Sequence, residues 1–375
     1  MASPAVSSSF ATIDQLMPVL ASCTKNALSK EETEKILTVV DKNLAISSTE
    51  ARKISGKDEG IERSFLIGDK GECVILMTRT WVRGDTTLAD DSCKTVKFCV
   101  NRKTGKKEVV GVSRDLRRRS INKISGEEFW DRLPAEKVLL ELFRGEEEFV
   151  KLDFAVKTKH KFYFVMEYCD QGELYVFIKS GKAASENMFY ALRDYLVGLV
   201  KMHAKGVIHR DLKPANLLLY RPAPDRPVRG KIADMGSACN ESDKNETKLF
   251  CGTEGWFCPE RVVASHSRLN RDNAIAEATT TQGDVFLMGC IIYAMFTGHP
   301  FLFQEDMFTI AEMDETKALG EMTYWFSILL YFPFKEEIRA LIYNMILRDP
   351  SKRCTAKKAL AYFDDAIFSK MQKGS

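Results

Sequence analysis

The chain has 375 residues, of which 45% are hydrophobic and 29% are charged. This composition supports a sizeable buried core and excludes disorder over the whole chain. The 55 Lys and Arg residues nearly balance the 52 Asp and Glu residues, and the resulting net charge of +3 is not that of a dedicated nucleic-acid-binding protein. We expect one large domain or two ordinary domains.

The cysteines and the hydropathy pattern predict the compartment. The 10 cysteines contain no CxxC pair, and spacings such as Cys93 to Cys99 match no zinc template. The first residues lack the basic start of a secretory signal, and the apolar stretch from Val285 to Phe296 is too short to span a membrane. We therefore expect an intracellular, cytoplasmic chain with reduced thiols and no membrane span.

Residues 1–63 are predicted to be a helical extension. Ser29 and Glu32 have capping-box spacing, and Ile36, Val40 and Leu44 follow at helical intervals. A short helix that docks on the main body is favoured over an independent domain.

Residues 64–168 are predicted to form a small β-rich domain. Short Val-rich runs such as CVILM, TWVRG, KTVKFCV and EVVGV are separated by Gly, Asp and Asn turns. One helix is expected over 135–143, followed by strands over 149–156 and 162–168.

Residues 169–375 are predicted to be mainly helical, with long apolar helices over 184–204 and from Asp284. Residues 264–283 are predicted to be a long inserted loop, either disordered or a partner site. A β-rich part followed by an α-rich part indicates the α+β class, with two lobes around a cleft.

The strongest chemical signal is the run His-Arg-Asp-Leu-Lys-Pro-Ala-Asn that ends at Asn216, followed by Asp234-Met235-Gly236. Phosphoryl transfer needs a carboxylate near the attacking hydroxyl, a cation for the γ-phosphate and oxygen ligands for Mg²⁺. Asp211, Lys213, Asn216 and Asp234 supply these groups in that order.

On these motifs, and on the later Cys258-Pro259-Glu260, the chain resembles the eukaryotic-type protein kinases over about residues 80–365. The resemblance implies a bilobal kinase fold that binds ATP with Mg²⁺, or with Mn²⁺ as an alternative. It implies that Asp211 is the catalytic base and Lys213 the γ-phosphate partner. Asn216 and Asp234 become the metal ligands, and Met235 stands where the family usually has Phe.

The resemblance also assigns residues to adenine binding and to fold support. Val96 would cover the adenine and Met166 would lie behind it, while Glu167 and Cys169 would form the hinge; Leu218 is counted with the cofactor-binding residues. Asp284 would hold the backbone of the catalytic loop, and Arg353 would pair with Glu260.

The predicted small lobe departs from the family pattern. Ser113 stands where the phosphate-binding lysine belongs, although Glu136 remains to pair with such a lysine. The segment 88–94 occupies the place of the glycine-rich loop without any glycine. It resembles the With-No-Lysine kinases, in which a lysine of the second strand is the substitute, and this would be Lys94. The alternative is that Lys94 is a solvated turn residue and phosphate binding is degraded.

In the activation segment, Thr253 resembles the threonine that contacts the base and the lysine in Ser/Thr kinases. Leu249 replaces the usual phosphorylated Thr and Thr247 is the nearest hydroxyl, so activation through Arg210 is not expected. Glu173 resembles an acidic position that reads basic substrates, but an exposed carboxylate at a helix start explains it as well.

Together these features predict a protein serine/threonine kinase that phosphorylates protein Ser or Thr hydroxyls. The alternative is a pseudokinase that acts as a signalling scaffold. A basic segment is a further candidate partner site: it either binds an acidic partner or is a solvated linker. It comprises Arg114, Arg117, Arg118, Arg119 and Lys123.

Overall fold

A computed structural model describes residues 63–67, 73–77, 87–90, 94–100, 107–113, 133–157, 162–181, 187–267, 270–299, 316, 320 and 333–374. Their contacts divide these residues into two compact units. The first contains the described residues up to 113 together with 152–168, and the second contains 133–151 and the chain from 169 onward. Of the predicted N-terminal extension 1–63, residues 1–62 lie outside the described residues, and so does the basic segment 114–123.

The first unit is built from antiparallel strands. One sheet pairs β1 with β2, and the other has five strands in the order β3-β4-β5-β7-β6. The strands are β1 (Arg63–Ile67), β2 (Cys73–Met77), β3 (Thr87–Asp90), β4 (Lys94–Val100), β5 (Lys107–Ser113), β6 (Leu152–Lys157) and β7 (Phe162–Glu167).

Valine and aromatic residues explain why this sheet forms, because branched and aromatic side chains pack well on a pleated surface. Val110 and Val165 are directly opposite each other in β5 and β7, and both are buried. The strand predicted to begin at Phe149 begins at Leu152 instead. Phe149 forms an isolated parallel bridge with Ile232 in the second unit.

The second unit is mainly helical. Its helices are α1 (Leu133–Leu142), α2 (Leu174–Lys179), α3 (Asn187–Ala204), α4 (Lys244–Thr247), α5 (Pro259–Ser265), α6 (Arg271–Ala278), α7 (Thr281–Thr297), α8 (Lys335–Met345), α9 (Ala356–Phe363) and α10 (Ser369–Gly374). Its short strands are β8 (Gly172–Glu173), β9 (Val207–Ile208), β10 (Leu217–Tyr220), β11 (Arg229–Ile232) and β12 (Cys239–Asn240).

Helix α7 is the centre of the second unit. Every residue from Gly283 to Phe296 is buried, which is typical of a helix that is apolar on all sides. Its single charged side chain, Asp284, is 1% exposed and accepts a hydrogen bond from the backbone N–H of His209, the residue after β9. The Asp284 carboxylate is thereby placed within hydrogen-bonding distance of the backbone of His209 and Arg210.

The prediction of a long loop over 264–283 is wrong. Helix α5 continues to Ser265, α6 covers Arg271–Ala278, and α7 already begins at Thr281. Ile275 is buried, and Thr279 donates a hydrogen bond back to its carbonyl oxygen at 2.7 Å. A single buried apolar residue in a polar helix leaves little periodicity, so the sequence pattern did not predict α6.

Among the residues described, no helix is long and apolar enough to cross a membrane. The described cysteines carry free thiols, and most of them are buried. The α+β class predicted from the sequence is confirmed by the β-rich first unit and the helical second unit.

Candidate active site

Asp284 binds the backbone of the two residues that precede Asp211 in the chain. One carboxylate oxygen accepts from the backbone N–H of His209 at 2.8 Å, and the other accepts from that of Arg210 at 3.0 Å. His203 lies 3.2 Å from the first oxygen. Burial by itself would raise the pKa of Asp284, but the hydrogen bond and charge of His203, with the N–H of His209, lower it below its ordinary value. The predicted role of Asp284 is confirmed.

The carboxylate of Asp211 is the meeting point of the predicted catalytic groups. The hydroxyl of Thr253 donates to one oxygen at 2.7 Å, and Lys213 Nζ donates to the other at 3.1 Å. Lys213 Nζ also donates to the Thr253 hydroxyl. Asn216 Nδ2 donates to the Asp211 carbonyl at 2.8 Å and to its carboxylate at 3.1 Å. The orientation of the Asp211 carboxylate is therefore fixed by hydrogen bonds from three side chains.

Thr253 reaches Asp211 because of the glycine before it. Gly252 has φ +123°, a conformation that side chains other than glycine rarely adopt. A Cβ at this position would lie 2.8 Å from the carbonyl oxygen of Arg210. The activation segment can therefore pass close to the catalytic loop only with glycine at 252.

Asn216 and Asp234 stand at the same end of a β-hairpin. Asn216 closes a 3-10 turn immediately before β10, and Asp234 stands two residues after the end of β11. The two strands are antiparallel, with Leu217 of β10 opposite Ile232 of β11. Ala233 N–H donates to the Asn216 carbonyl at 2.9 Å, which fixes the spacing of the two segments. Because Asn216 Nδ2 bonds Asp211, its Oδ1 is the atom that a cation would take.

These two residues fit Mg²⁺. Carboxylate and amide oxygens are its preferred protein ligands, and it usually takes the remaining ones from phosphates and water. In the described ranges, no group of three or more His, Cys, Asp or Glu side chains could hold a metal by itself. A metal held by these two residues would take its remaining ligands from phosphates and water.

Glu136 lies beside the turn that follows Asp234. A Cβ on Gly236 would be 3.2 Å from Asp234 Oδ1 and 3.7 Å from Glu136 Oε2. Met235, where the family usually has Phe, is 1% exposed, and its turn contacts helix α1, which carries Glu136. The apolar side chain at 235 is therefore enclosed where this turn meets α1.

In the first unit, three predicted cofactor-binding residues share one sheet face. Lys94 is directly opposite Ser113 in the antiparallel pair β4–β5, and Val96 is opposite Gly111. Side chains of directly opposed residues lie on the same face. Met166 is opposite Val109, two residues before Gly111, and its Cε would be 3.4 Å from a Cβ on Gly111. The absence of a side chain at 111 leaves room on this face.

The remaining predicted residues are more scattered. Glu167 is on the opposite face of β7 from Met166, because successive side chains alternate. In the second unit, Cys169 is buried, and Leu218 is half-buried in β10. Leu218 pairs with Glu173. Burial raises the pKa of Glu173, and the positive charge of Lys213 partly opposes this shift.

Glu260 and Arg353 form the predicted buried pair. Arg353 Nη1 and Nη2 donate to the two carboxylate oxygens at 2.6 and 2.7 Å. Arg353 also donates to backbone carbonyls at Gln282 and Leu347. A bidentate pair of this kind joins α5 to the chain before α9 and supports the fold.

Sequence reasoning missed three residues around the catalytic loop. His203 binds Asp284, Glu246 binds Arg210, and Arg261 donates to the Arg210 carbonyl at 3.5 Å. None stands in a recognisable motif, and each acts across a long sequence separation. Only the packing of α3, α4 and α5 brings them to this loop.

Comparisons with known proteins identify the family of this chain. The family model described as protein kinase domain matches residues 92–363. Serine/threonine-protein kinase RAD53 of Saccharomyces cerevisiae is 29% identical over 281 residues, which are 74% of this chain and 32% of RAD53. Serine/threonine-protein kinase PKH1 of the same organism is 26% identical over 302 residues, which are 75% of this chain and 35% of PKH1.

The fold is similar to the crystal structure of Rad53 1-466 in complex with AMP-PNP. The TM-score is 0.52 at 26% sequence identity, and the match covers 74% of this chain and 63% of that one. The chain spans about a third of the length of the two curated relatives. With the family model matching most of its length, the chain belongs to the eukaryotic-type protein kinases, and its relatives are of the serine/threonine type.

Proposed function

We propose that this chain is a protein serine/threonine kinase that transfers the γ-phosphate of ATP to Ser or Thr hydroxyls. The observation that carries the proposal is the convergence of Thr253, Lys213 and Asn216 on Asp211. A carboxylate held in this way can orient an attacking hydroxyl and accept its proton, while the ammonium of Lys213 offsets charge on the transferred phosphoryl group.

Mg²⁺, or Mn²⁺ in its place, fits this proposal as the metal that Asn216 and Asp234 hold. When bound, it would neutralise charge on the nucleotide phosphates. The chain itself fixes the positions of these two metal-binding side chains. Asp234 has a left-handed backbone, φ 61°, and its Oδ1 accepts from Gly236 N–H at 3.3 Å. Asn216 is held by its bonds to Asp211.

Within the proposal, Lys94 supplies the ammonium that Ser113 lacks. Its position opposite Ser113 supports this role, since the two side chains start one strand apart on the same face. Lys94 is 7% exposed, which argues against a solvated turn residue. Ser113 is committed elsewhere, because its hydroxyl accepts from the Phe162 N–H at 2.8 Å. Glu136 remains the proposed carboxylate partner, and Val96, Met166, Glu167, Cys169 and Leu218 the proposed adenine contacts.

The wider proposal keeps the domain boundaries 1–63, 64–168 and 169–375 and a cytoplasmic location. The free thiols of the described cysteines support a reducing compartment. Protein substrates follow from the kinase family. An acidic partner for the basic segment 114–123 rests on the charge of that segment alone.

The second candidate function is a pseudokinase scaffold. Two features favour it: Ser113 at the position of the usual lysine, and a loop segment over 88–94 without glycine. Phosphate binding at an ordinary kinase site uses both the lysine and the glycine-rich loop. The two candidate functions differ in whether Lys94 supplies the phosphate-binding ammonium that is missing at Ser113.

A phosphotransfer assay separates the two functions. Radiolabelled ATP, Mg²⁺ and a generic acceptor protein should give labelled Ser and Thr with the wild-type chain, and none with Asp234→Ala. Glu277→Gln, at an exposed position of α6, is the matched control and should match wild type. Absence of label from folded wild-type protein with either metal would contradict the kinase proposal and favour the scaffold.

A further inference from the structure

Arg210, the residue before the proposed base, is buried in an unusual conformation. Its backbone φ is 65°, and its side chain is fully enclosed. A left-handed backbone at a non-glycine residue costs on the order of 1 kcal/mol or more and persists only where surrounding contacts determine it. A buried guanidinium also needs hydrogen bonds and a negative charge to offset its loss of water.

The guanidinium of Arg210 joins two other segments. Its Nε donates to the Ser237 carbonyl at 2.6 Å, in the turn that follows Asp234. Its Nη1 donates to the Glu246 carbonyl, and its Nη2 lies 3.3 Å from the Glu246 carboxylate. The loop that carries Asp211 is therefore tied to α4 of the activation segment.

Glu246 is held in position by its own short helix. Asp243 caps α4, and its Oδ1 accepts from the N–H groups of Asn245 at 3.0 Å and Glu246 at 3.2 Å. The backbone that presents the Glu246 carbonyl and carboxylate is thus fixed at its N-terminal end. The Glu246 side chain is 29% exposed, so most of it is shielded from water.

A second buried arginine increases the positive charge at this place. Arg261 donates to the carbonyls of Arg210 at 3.5 Å and Leu249 at 3.2 Å, and its guanidinium lies over the rings of Phe250 and Phe257. Within the described ranges, no carboxylate forms an ion pair with Arg261. Among the described residues, Glu246 is the carboxylate that forms a side-chain ion pair with either of these two arginines, through Arg210.

A phosphate is poorly placed to supply the same charge. Phosphorylated residues order activation segments by pairing with arginine. In this chain Leu249 occupies the position of the usual phosphorylated Thr, and leucine cannot be phosphorylated. The nearest hydroxyl, Thr247, is 1% exposed in the folded chain. A modifying enzyme could reach it only if α4 opened.

We infer that Glu246 is a positioning residue: its carboxylate permanently supplies the charge that holds Arg210, and thereby keeps Asp211 in place without activation-segment phosphorylation. The inference rests on the proposed kinase function for its catalytic consequence. Its structural part, the anchoring of residues 209–213 by Glu246, can be tested separately.

The first test compares Glu246→Gln with wild type, with Glu241→Gln as the matched control at an exposed position of the same segment. The Gln variant keeps the size of the side chain and loses its charge. We expect kcat to fall at least about tenfold while the KM for ATP changes by less than about twofold, because binding groups are left intact. The control should match wild type. A Glu246→Gln enzyme with wild-type kcat would overturn the inference.

The second test uses phosphatase-treated wild-type protein, with mass spectrometry to confirm that residues 244–253 carry no phosphate. Its kcat should stay within about twofold of the untreated protein. Loss of activity on this treatment would overturn the inference even if Glu246→Gln failed to fold.

Hydrogen exchange is the readout that does not need activity. Amides of residues 209–213 should exchange at least about tenfold faster in Glu246→Gln than in wild type, while those of α9 should not change. If wild type transfers no phosphate, the proposed function fails but this measurement still decides whether Glu246 anchors the loop. Equal exchange in the two proteins would overturn the anchoring.

Discussion

Lys94 and Ser113 are directly opposite each other in the antiparallel pair of β4 and β5, with both residues buried. The position without the usual lysine is therefore next to a lysine one strand away, on the same sheet face. A strand spacing of about 4.8 Å is within reach of a lysine side chain. This relationship makes the substitution of one ammonium for the other directly testable.

Lys94→Met should weaken ATP binding or turnover by about tenfold to a hundredfold. If Lys94 supplies the ammonium as proposed, the change removes a charge-assisted contact with the α- and β-phosphates that is worth about 1.5–3 kcal/mol. Nucleotide affinity is measured by calorimetry and turnover by phosphate transfer.

Lys97→Met is the control for this experiment, since Lys97 is on the other face of β4. The double variant Lys94→Met with Ser113→Lys should recover only part of the activity, because Ser113 also accepts the Phe162 N–H. Wild-type behaviour of Lys94→Met, or greater damage from Lys97→Met, would contradict the substitution.

Asp211→Asn should lower phosphate transfer by at least about a hundredfold while nucleotide binding survives. The variant keeps the size of the side chain but cannot accept the proton of the attacking hydroxyl. Single-turnover kinetics and a nucleotide-binding assay on the same sample separate the two effects. Turnover equal to wild type would show that Asp211 is not the base.

ATP should stabilise the folded chain only in the presence of Mg²⁺ or Mn²⁺. A ligand that binds the folded state raises its free energy of unfolding by about RT ln(1 + [L]/Kd), so the melting temperature should rise with ATP and metal together. Asp234→Ala should lose most of this rise. An equal rise with ATP in excess chelator would contradict a role for the metal.

Asp284→Asn should destabilise the fold most at neutral pH. The pKa of Asp284 is held below its ordinary value of 3.8 in the folded state, so its ionised form contributes stability above that value. This contribution is lost as the pH falls through the lower folded pKa. The difference in free energy of unfolding between wild type and variant should therefore shrink below about pH 4.

Urea unfolding at a series of pH values measures this difference. Asp272→Asn, at an exposed position of α6, is the control and should differ little from wild type at any pH. A difference for Asp284→Asn that stays constant into the acid range would show that the carboxylate charge is not what holds the loop.

The sequence by itself determined the family and the chemical groups. The run that ends at Asn216, together with Asp234, is specific because phosphoryl transfer needs those residue types in that order. The hydrophobic pattern of the sequence also predicted the α+β class, because valine-rich alternation and 3.6-residue periodicity report local structure directly. The fold supports Asp284 and Arg353 could be named in advance because they stand in family motifs.

Helix α6 was not predictable from periodicity, since Ile275 is the one buried residue of its range. Its ends are set by contacts instead: Thr279 donates to the Ile275 carbonyl, and α6 packs against α5. Tertiary contacts of this kind override a weak local pattern.

The tertiary structure alone decided what surrounds Asp211. The sequence contains Glu246, His203 and Arg261 as ordinary charged or polar residues, with no motif to single them out. Folding brings Glu246 to Arg210 and His203 to Asp284, across separations that local propensity does not encode. A buried charge is costly unless another group pairs with it, and packing determines which groups are near enough to do so. The partners of the catalytic loop therefore follow from the fold.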